Sequence, residues 1–273
     1  MTAAFRFTAL TLVAALALAA CETAPITGRS RLSPVDDSRL EGQAVALYRQ
    51  EMAQNTLSRD HQTLALVRRV GERIARAAES PPNGLWTAPN FQWEFNVVDK
   101  PGTVNAYCLP GGKIAVFTGI LPVTADEEGL AIVMGHEVAH ALMRHHGERM
   151  ADQAAVGVGG AVLGAVVGAI VGRAAGSTLA GAAVGAGVSG AGSLLLLSFG
   201  RNQESEADRV GMILAAHAGY DPRAAVGLWE RMRARASGRG GPEFLRTHPT
   251  ESSRIVEIRK HMPEALQYYA GGK

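Results

Sequence analysis

The sequence predicts an α+β fold, mostly helical with one small sheet, and three observations carry that prediction. Long stretches repeat apolar residues at helical spacing, and only three short stretches read as strands. All three strands lie together ahead of one helix. Composition permits a sizeable core: 47% of the 273 residues are hydrophobic and 19% charged, which excludes a disordered chain. A formal charge of +2, with no basic run, gives no electrostatic case for a nucleic-acid partner. Two cysteines can form neither a disulfide framework nor a four-thiolate metal site.

The elements follow in order. Met1 to Ala20 carries one basic residue, Arg6, and then an apolar run from Leu10. That run is roughly half of the about 20 residues a membrane span needs, so residues 1–20 read as a secretory leader. Residues 21–32 are a short tether, and residues 33–263 form one domain. Ser33 and Pro34 open a helix whose stripe is Leu40, Ala44, Leu47 and Tyr48, ending near Ala53. A second helix runs from about Asp60, with Leu64, Val67, Val70 and Ile74 on one face, until Pro81-Pro82 stops it. Phe91, Trp93, Phe95 and Val97 alternate as a half-buried strand. Val104 to Leu109 and Lys113 to Thr118 follow as two strands joined through Pro110-Gly111-Gly112.

Thr124 and Glu127 read as a capping box for a helix reaching about Met150. Arg201 to His217 is helical and closed by Gly219. Asp221-Pro222 opens the next helix, to about Ala236, and Gly238 to Gly241 is a loop. Thr250 starts a last helix to about His261, which leaves residues 264–273 as a tail.

The chemistry sits in the helix after Thr124. His136 and His140, four residues apart, share one helical face and can bind one zinc ion. Glu137 beside them can take a proton from a water molecule. These groups follow Leu130, Ile132, Val133 and Met134, and they are expensive to bury without a purpose. The third ligand is open between two candidates. His146 lies six residues past His140, but Met143 stands where a chain leaving the helix would need glycine. The helix is therefore expected to continue, and His145 or His146 to swing away from the metal. Glu204, with Asp208 four residues on, offers a ligand and an acceptor that can hold a ligand histidine's other nitrogen. Glu204 is the preferred reading.

Asn105-Ala106-Tyr107, Leu109 to Ile114, Thr118-Gly119, the His136 to His140 motif and the Glu204 to Asp208 motif occur here in one order. That order resembles peptidase family forty-eight, whose members include CAAX prenyl proteases and HtpX-like, Oma-type and periplasmic lipoprotein peptidases. The resemblance covers most of the chain after the leader, and Pro25-Ile26-Thr27-Gly28-Arg29 is similar to the start of the lipoprotein members. It implies a zincin-like (gluzincin) metallopeptidase holding one Zn2+ per chain on His136, His140 and Glu204, with Glu137 as acid/base and protein or peptide substrates. His248-Pro249 and Arg254-Ile255 resemble the family's closing motif.

Three roles fit His248, which sits on a loop stiffened by Pro249 and followed by the capping residue Thr250. It can stabilise the oxyanion of the reaction, with Arg254 adding positive charge. It can fill the open metal position and so inhibit the resting enzyme, or it can be a surface histidine of the loop. A substrate is expected to lie extended along an edge strand, for which Lys113, Ile114, Ala115 and Val116 are the candidate, the alternative being that their strand is central in the sheet.

Leu18-Ala19-Ala20-Cys21 resembles a bacterial lipobox. That resemblance implies a lipidated Cys21 and a lipid-anchored protein in the periplasm, and Glu22 in place of Asp after the cysteine points to the inner leaflet of the outer membrane. Residues 154–200 add a Gly/Ala-rich apolar insertion in which Gly160, Gly164, Gly168, Gly172 and Gly176 recur every four residues. Three readings remain open for it: a hairpin dipping into the membrane, a hairpin packed over the active site, or a loop. The functional expectation is a zinc endopeptidase in protein quality control. The alternatives are a chaperone or assembly factor, working with the outer-membrane assembly machinery and keeping a residual zinc site, and a non-peptidase zinc hydrolase.

Overall fold

A three-stranded sheet and the helices packed on it form the core. The computed structural model describes residues 21–32, 37–152, 195, 198–236, 242–249 and 253–271. The leader, the Ser33-Pro34 cap, the loop at 238–241, Thr250 and nearly all of the 154–200 insertion lie outside the described residues. The three readings of that insertion are therefore untouched by the structure.

The chain opens with a hairpin, β1 (Cys21–Thr23) against β2 (Ser30–Leu32). Helix α1 (Asp37–Gln54) buries Leu40, Ala44, Leu47 and Tyr48, the expected stripe. Helix α2 (His61–Glu79) is capped by Asp60, whose side chain accepts from the backbone N–H of Gln62 and Thr63, and it buries Val67, Val70 and Ile74.

The sheet has the order β3 (Glu94–Val98), β5 (Lys113–Phe117), β4 (Ala106–Leu109). β5 runs parallel to β3 and antiparallel to β4. This corrects one expectation. Lys113, Ile114, Ala115 and Val116 are not an edge: their strand is central, buried along its whole length and paired on both sides. No backbone groups remain there for a substrate, and the edge nearer the histidine helix is β4. The β4–β5 turn depends on Gly111 and Gly112, at φ +82° and +77°, and a β-carbon on Gly112 would stand 2.8 Å from the Trp93 ring.

After the short α3 (Leu121–Thr124) comes α4 (Glu127–Leu142), which carries the histidine motif. Its cap is Asp126 rather than Thr124. The Asp126 side chain accepts from Gly129 N–H, while the Thr124 hydroxyl donates to the Leu121 carbonyl. The helix also ends earlier than expected. It stops at Leu142, Arg144 takes φ +59°, and residues 145–152 form a separate helical stretch.

Helix α5 (Arg201–His217) lies against α4, followed by α6 (Ala224–Ala236), the short α7 (Phe244–Thr247) and α8 (Arg254–Leu266). The last helix thus begins four residues after Thr250 and extends into the expected tail. Among the described residues no helix is long and apolar enough to cross a membrane.

Candidate metal centre

Two helices build the site because they touch through glycine. A β-carbon on Gly135 would come within 2.8 Å of the Gly211 carbonyl oxygen, and one on Gly211 within 2.8 Å of the His136 backbone. With no side chain at the crossing, α5 lies close enough for Glu204 and Asp208 to reach across to the α4 histidines.

His136, Glu137, His140, Glu204, Asp208 and His248 are all buried. The Nε2 atoms of His136 and His140 stand 3.1 Å apart. Glu204 places Oε1 3.4 Å from His140 Nε2 and Oε2 3.7 Å from His136 Nε2. His248 places Nδ1 3.2 Å from His136 Nε2 and 3.0 Å from Glu204 Oε1. Each of these four side chains contributes one donor atom to a group lying within 4.8 Å of one another. Donors held 2.0–2.1 Å from a tetrahedral zinc would be separated by roughly 3.3–3.4 Å. The spacing and the nitrogen–oxygen donor set therefore fit a single small metal ion.

The surroundings orient these donors. His136 turns Nδ1 to within 3.0 Å of Asp208 Oδ1. Arg254 donates from Nη1 to Glu204 Oε2 at 2.7 Å and from Nη2 to Asp208 Oδ1 at 2.8 Å, and its Nε lies 2.7 Å from Asp208 Oδ2. Its guanidinium also stacks 3.4 Å over the Trp229 ring. The guanidinium bridges the two carboxylates and so holds Glu204 and Asp208 in place. His248 is buried against the Phe244 ring, centroids 4.4 Å apart, so it is not a surface histidine. Its loop is tied down by Phe199 N–H donating to the Thr247 carbonyl and by Phe244 N–H donating to the Val104 carbonyl, just ahead of β4.

The two buried glutamates are pushed in opposite directions. Burial raises the Glu137 carboxyl, against the pull of His248 and His136. Burial also opposes charge on Glu204. There His248, Arg254 and the hydrogen bonds of His140 and His248 outweigh it and hold the carboxyl well below the usual range. Burial depresses His140, which favours the neutral imidazole a metal ligand must be.

His146 does not join the cluster, although it is buried. Sequence reasoning missed His145. The break at Arg144 turns its Nδ1 to within 2.9 Å of His140 Nδ1, and its Nε2 lies 3.0 Å from Glu206 Oε2. In one continuous helix, residues five apart point about 140° away from each other, so no periodicity rule could pair them. Lys113 to Val116 lie outside the cluster, in the central strand.

The pattern of peptidase family M48 matches residues 61–262. The mitochondrial metalloendopeptidase OMA1 of Schizosaccharomyces pombe is 36% identical over 255 residues, covering 89% of this chain and 67% of that protein. Its counterpart in Saccharomyces cerevisiae is 31% identical over 266 residues, covering 91% and 71%. The beta-barrel assembly-enhancing protease of Escherichia coli is 29% identical over 164 residues, covering 57% and 32%. These relatives overturn the location expected from residues 1–21. The two that align with 89% and 91% of the chain are mitochondrial enzymes, so the lipid-anchored placement in the periplasm at the outer membrane does not stand. With a family pattern spanning residues 61–262 and a buried His-His-Glu-His cluster suited to a metal ion, this chain belongs to peptidase family M48 and is a metalloendopeptidase.

Proposed function

We propose that the chain is a zinc-dependent endopeptidase that cuts extended stretches of protein substrates, with His136, His140 and Glu204 as ligands and Glu137 as acid/base. The arrangement of the donors carries this reading: Nε2 of His136, Nε2 of His140 and the Glu204 carboxylate face one another within 3.7 Å, and Glu137, next to His136 in the chain, is buried beside them with Oε1 3.4 Å from His248 Nε2. A bound zinc ion supplies Lewis acidity towards a peptide carbonyl and acidifies water.

The chain's own groups do the rest. Glu137 accepts the proton of the attacking water and delivers it to the amine that leaves. Asp208 Oδ1 faces His136 Nδ1 at 3.0 Å, and Arg254 fixes the two carboxylates. The substrate backbone pairs with β4 on the side away from β5, a mode that tolerates many side chains. His248 Nδ1 lies 3.0 Å from Glu204 Oε1 and 3.2 Å from His136 Nε2, so it would be available as a fourth donor to a bound zinc.

The test is casein cleavage by the zinc-loaded protein and by Glu137→Gln. We expect the variant to keep its zinc and lose cleavage. Undiminished cleavage by Glu137→Gln would remove the acid/base assignment, and an inert wild type would favour an assembly factor with a residual zinc site.

A further inference from the structure

We propose that the N-terminal hairpin is a working part of the metal centre: Thr27 and Arg29 hold Glu206, Glu206 orients His145, and His145 sets the tautomer of His140. The proposal rests on the metal-centre reading above and extends it to residues some 180 positions apart in sequence.

The hairpin is built to present these side chains. Its turn runs through Ile26 and Gly28, at φ +72° and +68°, and closes by Ala24 N–H donating to the Arg29 carbonyl. From it the Thr27 hydroxyl donates to Glu206 Oε1. Arg29 Nη2 donates to Glu206 Oε2 and to Glu148 Oε2, each at 2.8 Å. Arg31 donates from Nη1 to the Met143 carbonyl, at the point where α4 breaks. The hairpin therefore grips both the break in the histidine helix and the carboxylate beyond it.

Proton accounting gives the chain of contacts a direction. The Glu206 carboxylate only accepts, so the His145 Nε2 facing it at 3.0 Å is the one that carries hydrogen. A neutral His145 then has a bare Nδ1, which accepts from His140 Nδ1 at 2.9 Å. With its hydrogen on Nδ1, His140 has a lone pair on Nε2, the atom that faces His136 and Glu204. Each step follows from the one before, beginning with the charge that Arg29 and Thr27 stabilise on Glu206. His136 Nδ1 instead faces Asp208 Oδ1 directly, 3.0 Å away. The surroundings of the two ligand histidines thus come from different parts of the chain, one from α5 with Arg254 of α8 and one from the N-terminal hairpin by way of α5.

The experiment measures zinc affinity by competition with a chromophoric chelator, the absorption spectrum of the cobalt-loaded protein, and the melting temperature of the metal-free protein. It uses the full chain and the variants Glu206→Ala, Arg29→Ala and Arg231→Ala. Arg231 donates from Nε to the Val123 carbonyl and from Nη2 to the Thr124 carbonyl, outside the relay, so its loss lowers stability without touching the relay. We expect Glu206→Ala to weaken zinc binding about 10–100-fold and to alter the cobalt spectrum. Arg29→Ala should do so to a lesser extent, and Arg231→Ala should keep wild-type affinity. Should Glu206→Ala fail to fold, Thr27→Val, which removes one donor at nearly constant volume, serves in its place. Unchanged affinity in Glu206→Ala, or affinities that merely follow melting temperature across all variants, would overturn the relay alone. A wild type that binds no zinc would overturn the metal centre itself.

Discussion

Gly211 passes so close to His136 that a β-carbon there would stand 2.8 Å from the histidine's Cα. The contact sets the distance between the two helices that carry the site. Gly211→Ala must push α5 away from α4, at an overpacking cost of about 1–3 kcal/mol. The displacement also carries Glu204 and Asp208 away from His136 and His140. We expect a lower melting temperature together with weaker zinc binding, measured by calorimetry and chelator competition. A variant that melts earlier yet binds zinc as tightly as wild type would show that the helix spacing does not set the site.

The ligand set can be separated by two substitutions. Glu204→Ala removes the carboxylate that lies within 3.7 Å of both imidazole Nε2 atoms, whereas His146→Ala removes a ring outside the cluster. Zinc and cleavage should be lost in the first and retained in the second. The reverse result, read by metal analysis of the purified variants, would return the third-ligand role to His146.

Much of this site was legible because its spacing is helical. His136 and His140 lie one turn apart on α4, and Glu204 and Asp208 repeat that interval on α5, so each pair could be placed on one face before any fold was known. The glycines that let the two pairs meet carry no such signal, since a close approach between helices is a tertiary fact. His145 was hidden for a related reason. It reaches His140 only because the chain turns at Arg144, a non-glycine residue in the left-handed region, where no propensity rule predicts a helix to stop. The sheet was misread in one respect. Alternation and the Pro110-Gly111-Gly112 turn located the strands, but strand order depends on the parallel return of β3 beside β5, and that made Lys113 to Val116 central.

The hairpin grip should weaken in acid. Burial opposes charge on Glu206, but hydrogen bonds from His145, Thr27 and Arg29 outweigh it and lower the carboxyl from 4.5 to about 2. A group lowered in the folded state stabilises fully above its unfolded value, and that stability disappears as pH falls through the folded value. The window therefore opens below about 4.5 and closes near 2. Melting of the metal-free protein between pH 6 and pH 3 should show wild type losing stability faster than Glu206→Gln, which has no such charge to lose. Parallel pH curves for the two proteins would contradict the assignment.

His248 offers the sharpest division between mechanisms. Its Nδ1 stands 3.0 Å from Glu204 Oε1 and 3.2 Å from His136 Nε2, and its Nε2 stands 3.4 Å from Glu137 Oε1. The ring thus occupies the place a fourth ligand would take, beside the acid/base. Catalytic zinc sites keep that place for water or substrate, and a site closed by four protein donors is a resting one. If the histidine is a self-inhibiting ligand, His248→Ala should raise basal casein cleavage while leaving zinc in place on His136, His140 and Glu204. If it instead stabilises the oxyanion, the same variant should lower kcat by about 10²-fold with zinc retained. The four-donor geometry favours the first outcome, and we expect the increase. Unchanged kinetics with unchanged zinc content would exclude both roles and reduce His248 to packing against Phe244.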